Sequence, residues 1–169
     1  MAPFHTLRRT TARTLVLDPL GRSLLLRSSD PVDRRRPPWW ELPGGGIEGH
    51  ETPADAARRE LVEETGIVDV ELGPCVWTQE VRFTFAGMRF EQFEHLHVAW
   101  VAEAVEPRPR GLEALEAMAF EGHRWWHVEE LASADDVVYP ERIREVLGDL
   151  VAGTIPDRPI DITPRPSSG

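Results

Sequence analysis

A run of three glycines leads into a helix whose second half is crowded with carboxylates, and this pairing limits the chain more than any other feature. Thr52–Thr65 reads as helix: Thr52 is a good N-cap, Pro53 suits the first helical position, and Asp55 can complete a capping-box-like start. Gly66 fits the left-handed position that ends such a helix. At about 100° per residue, Glu60, Glu63 and Glu64 fall within roughly 100° of arc and repel one another. Hard divalent cations relieve such repulsion, and Mg²⁺ prefers carboxylate and carbonyl oxygens. Arg59 precedes this face, where its fork can hold a carboxylate. The loop glycines permit backbone shapes other residues resist, so a loop carbonyl such as that of Gly44 could serve as a further ligand. The ordinary alternative for Glu-X-X-Glu-Glu alone is a solvated helix face.

The rest of the chain supplies strands around this unit. Thr11–Leu17 and Ser23–Arg27 read as a hairpin across the Asp18-Pro19-Leu20-Gly21 turn. Trp39–Leu42 is a short strand, and Glu71–Trp77, Glu80–Phe85, Phe90–Ala102 and Arg124–Val128 follow. Gly111–Ala119 reads as a short helix or ordered loop, and Val128–Ala132 begins a turn of helix. Pro140–Val151 carries apolar residues on one side at helical spacing, at Ile143, Val146, Leu147 and Leu150. The pattern predicts an α/β sandwich with a mixed sheet over residues 11–152, after a loose lead-in at 1–10. The proline-rich segment 153–169 reads as a tail, ordered only where it docks.

Composition narrows the function classes. The net charge of −10 argues against non-specific binding to nucleic acid, yet tolerates a polyphosphate bridged by cations. No stretch reaches the roughly 20 apolar residues that span a bilayer, and Met1–Arg13 lacks the apolar core of a secretory signal, so a cytoplasmic protein is expected. The single cysteine, Cys75, reads as a small, partly buried apolar residue.

Residues 45–67 match a known pattern at every fixed position: Gly, five residues, Glu, seven residues, Arg-Glu-aliphatic-X-Glu-Glu-X-Gly-aliphatic. The fixed positions are Gly45, Glu51, Arg59, Glu60, Leu61, Glu63, Glu64, Gly66 and Ile67. The segment resembles the Nudix box, and the flanking strands extend the resemblance to about residues 10–152. It implies an α/β/α sandwich and hydrolysis, with Mg²⁺ or Mn²⁺, of a nucleoside diphosphate linked to another group X. It also implies that Glu60, Glu63 and Glu64 ligate metal, that Arg59 orients them, and that Glu51 is structural. Gly44 matches a position whose carbonyl often binds metal in that family. Gly45 and Gly66 are structural members of the box.

Many enzymes of that kind draw another acid from elsewhere, for which Glu94, Glu113, Glu116 and Glu121 are the candidates. Trp39, Trp40, Trp77, Trp125 and Trp126 are candidates for stacking on a base, though aromatic rings are also core material. Arg34, Arg35 and Arg36 could reach phosphates or simply be solvated. The family's auxiliary markers are missing: Val81-Arg82-Phe83 holds no proline, and Phe83-Thr84-Phe85 no tyrosine. The substrate is therefore expected only as a nucleotide derivative. Two other readings are a Nudix-fold ligand-binding or regulatory domain without turnover, and isoprenoid diphosphate isomerisation, for which Cys75 lies on the wrong side of the box. Exposed strand edges allow a homodimer.

Overall fold

A computed structural model of the chain describes residues 5–167. In chain order the strands are β1 (Thr6–Leu17), β2 (Arg22–Ser28), β3 (Trp39–Glu41), β4 (Gly44–Gly46), β5 (Glu71–Phe85), β6 (Met88–Trp100), β7 (Phe120–His127), β8 (Val137–Tyr139) and β9 (Ile160–Asp161). Helix α1 (Pro53–Thr65) lies between β4 and β5, α2 (Ala114–Ala119) before β7, α3 (Val128–Ser133) after β7, and α4 (Ile143–Val151) after β8.

The strands form one mixed sheet in the order β8-β3-β2-β1-β6-β5-β9, with β4 also pairing β1 and β7 also pairing β2. β1 runs parallel to β6 from Thr6↔Arg89 to Leu17↔Trp100, and β5 runs antiparallel to β6. Alternation along β1 sends its side chains to opposite faces. Leu15 and Leu17 join Leu131 of α3 and Ile143, Leu147 and Leu150 of α4 in the main core. Val16, between them, packs with Leu24, Leu61 of α1 and Ile67 in a second cluster. Helices therefore cover both faces, which is the expected α/β/α sandwich.

Several local expectations need correction. Residues 6–10 are strand, not a loose lead-in, because the backbone pairs residue by residue with β6 although its side chains are exposed. Glu71–Trp77 and Glu80–Phe85 are one strand, irregular in register between Leu72 and Trp77. The glycines after Pro43 form β4, pinned to β1 by the pairs Thr11↔Gly46, Ala12↔Gly45 and Arg13↔Gly44. Val137–Tyr139, too short to show a period, pairs parallel with β3. α4 begins at Ile143, three residues after Pro140.

The proline-rich tail docks. β5 offers an otherwise open edge, and a row of unpaired peptide groups invites another strand. Ile160 and Asp161 pair with Trp77 and Thr78. The Ile162 N–H then donates to the Thr78 carbonyl at 2.8 Å, and the Glu80 N–H donates to Thr163 Oγ1 at 2.9 Å. Ile162 is fully buried in the main core. Truncating it leaves a cavity, so Ile162→Ala should cost about 2–5 kcal/mol in urea unfolding. A loss below about 0.5 kcal/mol would show that the tail does not dock in solution.

Candidate metal centre

Helix α1 starts as its sequence dictates. The Asp55 N–H donates to Thr52 Oγ1 at 3.1 Å, and the Thr52 N–H donates to Asp55 Oδ2 at 3.4 Å. At the other end Gly66 adopts φ 71°, and its N–H reaches the Val62 carbonyl. A Cβ there would stand 2.5 Å from the Arg108 carbonyl oxygen, so the left-handed turn and the close approach both require glycine. That approach belongs to a second clamp. The Arg108 N–H donates to Thr65 O at 2.7 Å, and the N–H groups of Arg110 and Gly111 donate to Glu63 O at 2.8 and 3.0 Å. These bonds dock the segment leading into α2 against the end of α1.

Three carboxylates converge where α1, β4 and α2 meet. Glu60, Glu64 and Glu116 each present an oxygen within 4.8 Å of the other two. The Gly44 N–H donates to Glu64 Oε2 at 2.8 Å. Gly45 leaves room for Glu60, because a Cβ on it would stand 2.5 Å from Glu60 Oε1. Glu60 and Glu64 are only 5% and 9% exposed. Burial, reinforced by the neighbouring carboxylates, pushes Glu64 well above the usual carboxylate range and raises Glu60 and Glu116 as well. Glu60 Oε2 is buried with no hydrogen-bond partner.

Arg59 gathers the surrounding charge. Its Nε donates to Glu51 Oε1 at 2.6 Å and its Nη2 to Glu51 Oε2 at 3.1 Å, a fork closed on both oxygens. Nη1 reaches Glu60 Oε1 at 3.0 Å and Glu63 Oε2 at 3.2 Å, and Nη2 also donates to the Gly46 carbonyl at 2.9 Å. The hydrogen bond from Arg59 holds the Glu51 carboxyl below its ordinary range. Glu51 is thus spent on Arg59, which presents Glu60 toward Gly45.

An all-oxygen donor set with an orphaned, buried carboxylate oxygen fits a hard divalent cation such as Mg²⁺ or Mn²⁺. Of the acids named from the sequence, Glu116 joins Glu60 and Glu64, while Glu63 stands beside them tied to Arg59. Glu121 lies elsewhere, 3.5 Å from Arg27. Glu94 is committed to a buried network, accepting from Arg13 Nε at 2.8 Å, Gln92 Nε2 at 2.9 Å, Thr11 and Gln79. Neither stands in the carboxylate cluster.

Beside the cluster opens a cavity of about 130 Å³, whose lining includes Gly44, Glu64 and Glu116 together with Arg9, Arg13 and Trp39. A smaller apolar pocket of about 80 Å³ continues from it between Trp39, Phe83, Phe85 and Tyr139. Arg36 stacks over Trp39 at 4.2 Å, whereas Trp40, Trp77 and Trp126 are core. Arg9 and Arg13 were not singled out from the sequence. Period two along β1 places both on the face of Leu15, and that was the available signal.

A family model described as the NUDIX domain matches residues 7–146. The chain belongs to the Nudix family. Among curated proteins, an RNA pyrophosphohydrolase of Bartonella clarridgeiae is 53% identical over 53 residues, covering 31% of this chain and 30% of that protein. One of Caulobacter vibrioides is 41% identical over 69 residues, covering 40% and 38%. The chain thus spans about a third of the length of these relatives. Among solved structures, the E. coli dihydroneopterin triphosphate pyrophosphohydrolase superposes with a TM-score of 0.62 at 18% identity, covering 85% of this chain and 95% of that one. At that identity the likeness establishes the shared Nudix fold.

Within this Nudix centre, Gly45→Ala tests the geometry. The added methyl would stand 2.5–2.9 Å from the buried Glu60 carboxylate, so that carboxylate must shift, at a cost of about 1–3 kcal/mol in unfolding free energy. Calorimetric Mn²⁺ titration should then show affinity reduced at least about tenfold, the scale of a disturbed ligand environment. Unchanged affinity would mean that Glu60 does not ligate the ion.

Proposed function

We propose that this protein is a Mg²⁺- or Mn²⁺-dependent pyrophosphohydrolase that cleaves the diphosphate of a nucleotide derivative. The observation that carries this reading is the convergence of Glu60, Glu64 and Glu116 around the unpartnered Glu60 Oε2, at the wall of a cavity that also holds arginines. These three carboxylates would hold the ion, with the Gly44 carbonyl as a further candidate. A divalent ion bound there supplies charge neutralisation to the diphosphate and activation to water.

The chain's own groups supply the rest. Arg59 fixes Glu60 and Glu63 in one orientation, so little reorganisation remains when substrate arrives. Glu63, tied to Arg59 beside the cluster, would accept a proton from the attacking water. Water attacks one phosphorus, the bridging P–O bond breaks, and two phosphate-terminated products leave. The pocket of Trp39, Phe83, Phe85 and Tyr139 offers a face for a flat ring such as a nucleobase. The relatives named as RNA pyrophosphohydrolases match chiefly around the box, so an RNA bearing a terminal polyphosphate belongs in the test beside small nucleotides.

The test is Mg²⁺-dependent phosphate release across nucleoside triphosphates, nucleotide sugars, ADP-ribose, dinucleoside polyphosphates and RNA with a 5′ polyphosphate, coupled to a phosphatase where needed. Glu64→Gln is the control, since the amide oxygen still accepts from Gly44 while the charge is gone. Losing a ligand to an ion worth several kcal/mol should reduce kcat at least about a hundredfold. Turnover near wild type in Glu64→Gln would remove Glu64 from the ligand set. Silence of a folded wild type on every substrate would favour ligand binding without turnover.

A further inference from the structure

Arg9 and Arg13 stand four residues apart on the same face of β1, but their charges are handled differently. Arg13 is neutralised: its Nε donates to Glu94 at 2.8 Å, its Nη1 donates to the Leu42 carbonyl at 3.0 Å, and its side chain is 15% exposed. It belongs to the framework. Arg9 is exposed, yet it is held. Its Nε donates to Gln92 Oε1 at 2.6 Å, and its guanidinium lies over the Phe90 ring, 5.2 Å from the centroid. Gln92 is 3% exposed and is anchored in turn by donating through Nε2 to the buried Glu94. An arginine in water keeps nearly all its rotamers, and ordering it costs side-chain entropy. Here a buried amide and a buried carboxylate hold its Nε against a neutral oxygen.

The location gives that arrangement a use. A Cβ on Gly46 would lie 3.6 Å from Arg9 Nη1, so the guanidinium rests against the β4 backbone whose carbonyl receives Arg59. Arg9 lines the cavity that Glu64 and Glu116 border, and it also borders the larger open groove along β5 and β6. Arg8 and Arg82 share that groove, but both face Glu91. Among the described residues only the Nε of Arg9 is hydrogen-bonded, to a neutral oxygen, and such a guanidinium can still present its remaining N–H groups as a fork to a phosphate.

We propose that Arg9 binds a phosphate of the substrate's diphosphate in the cavity that Glu64 and Glu116 also line, and that Gln92 and Glu94 are the positioning residues that aim it. This rests on the pyrophosphohydrolase reading, but its test does not require turnover. Binding of inorganic pyrophosphate would be measured by calorimetry with saturating Ca²⁺, for wild type, Arg9→Ala, Arg9→Lys and Gln92→Leu. Ca²⁺ affinity without pyrophosphate would be measured alongside.

Loss of a charge-assisted contact should weaken pyrophosphate binding in Arg9→Ala by about tenfold to a hundredfold. Arg9→Lys should recover part of it. Gln92→Leu, which removes the anchor but keeps the arginine, should fall between wild type and Arg9→Ala. Ca²⁺ affinity should be unchanged or slightly higher in Arg9→Ala, because a neighbouring cation is gone. Once a substrate is in hand, Arg9→Ala should raise KM more than it lowers kcat, a split that general destabilisation would not produce. Pyrophosphate binding within twofold of wild type in Arg9→Ala overturns the proposal, and so does a wild type that binds Ca²⁺ but no pyrophosphate. Intact binding with Arg9 dependence but no hydrolysis of any substrate would overturn the catalytic reading and leave Arg9 in its role.

Discussion

Arg59 engages Glu51, Glu60 and Glu63 at once, and the architecture of the centre follows from the charges this one guanidinium can and cannot satisfy. It compensates the acids at the start of the cluster. Arg59 does not reach Glu64 or Glu116, and among the described residues Glu60 keeps one oxygen buried and without a hydrogen-bond partner. Two ionised carboxylates less than 5 Å apart repel by about 3 kcal/mol at an effective dielectric near 20. Protonation relieves this: burial, with neighbouring carboxylates adding to it, raises all three groups. A divalent cation relieves it at neutral pH. The same arrangement would therefore be strained alone and favourable once it held an ion.

The fold serves that arrangement by bringing distant backbone to one helix. β4 is pinned to β1 through three residue pairs, which sets Gly44 and Gly45 against the last turns of α1. The loop from Arg108 to Gly111 returns to the carbonyls of Glu63 and Thr65 and delivers α2 with Glu116. The network of Glu94, Gln92, Arg13 and Gln79 is fixed by the β5–β6 and β1–β6 ladders, and Arg9 is held through it. Rigid strands and a capped helix thus place groups that a loop alone would leave loose.

What could be read from the sequence followed from locality. The caps of α1, the carboxylate arc and the Arg59 fork are set within a few residues, and each is present in the structure. The sandwich was legible because the Asp18–Gly21 turn joins two apolar runs into a hairpin and the one-sided spacing of α4 favours packing on a sheet. Long-range pairings were not. Nothing local to Thr6–Thr10 marks it as strand, since its order comes from β6 more than eighty residues away. The same reason made Glu94 and Glu116 indistinguishable as candidates. One is consumed by Arg13 across the β1–β6 pair and the other is carried to the cluster by a loop clamp, and neither event has a local signature. Arg9 has no local signature either, because an exposed arginine on a polar strand end looks solvated until its anchor, Gln92, is seen beneath it.

The claim at the centre of this account is that Glu60, Glu64 and Glu116 share one divalent cation. Anomalous scattering from crystals grown with Mn²⁺ tests it most directly. The account predicts a strong peak within direct coordination distance, about 2–2.6 Å, of oxygens from all three residues, including Glu60 Oε2. A peak held only by exposed carboxylates elsewhere, with the oxygens of Glu60 and Glu64 unliganded, would contradict it.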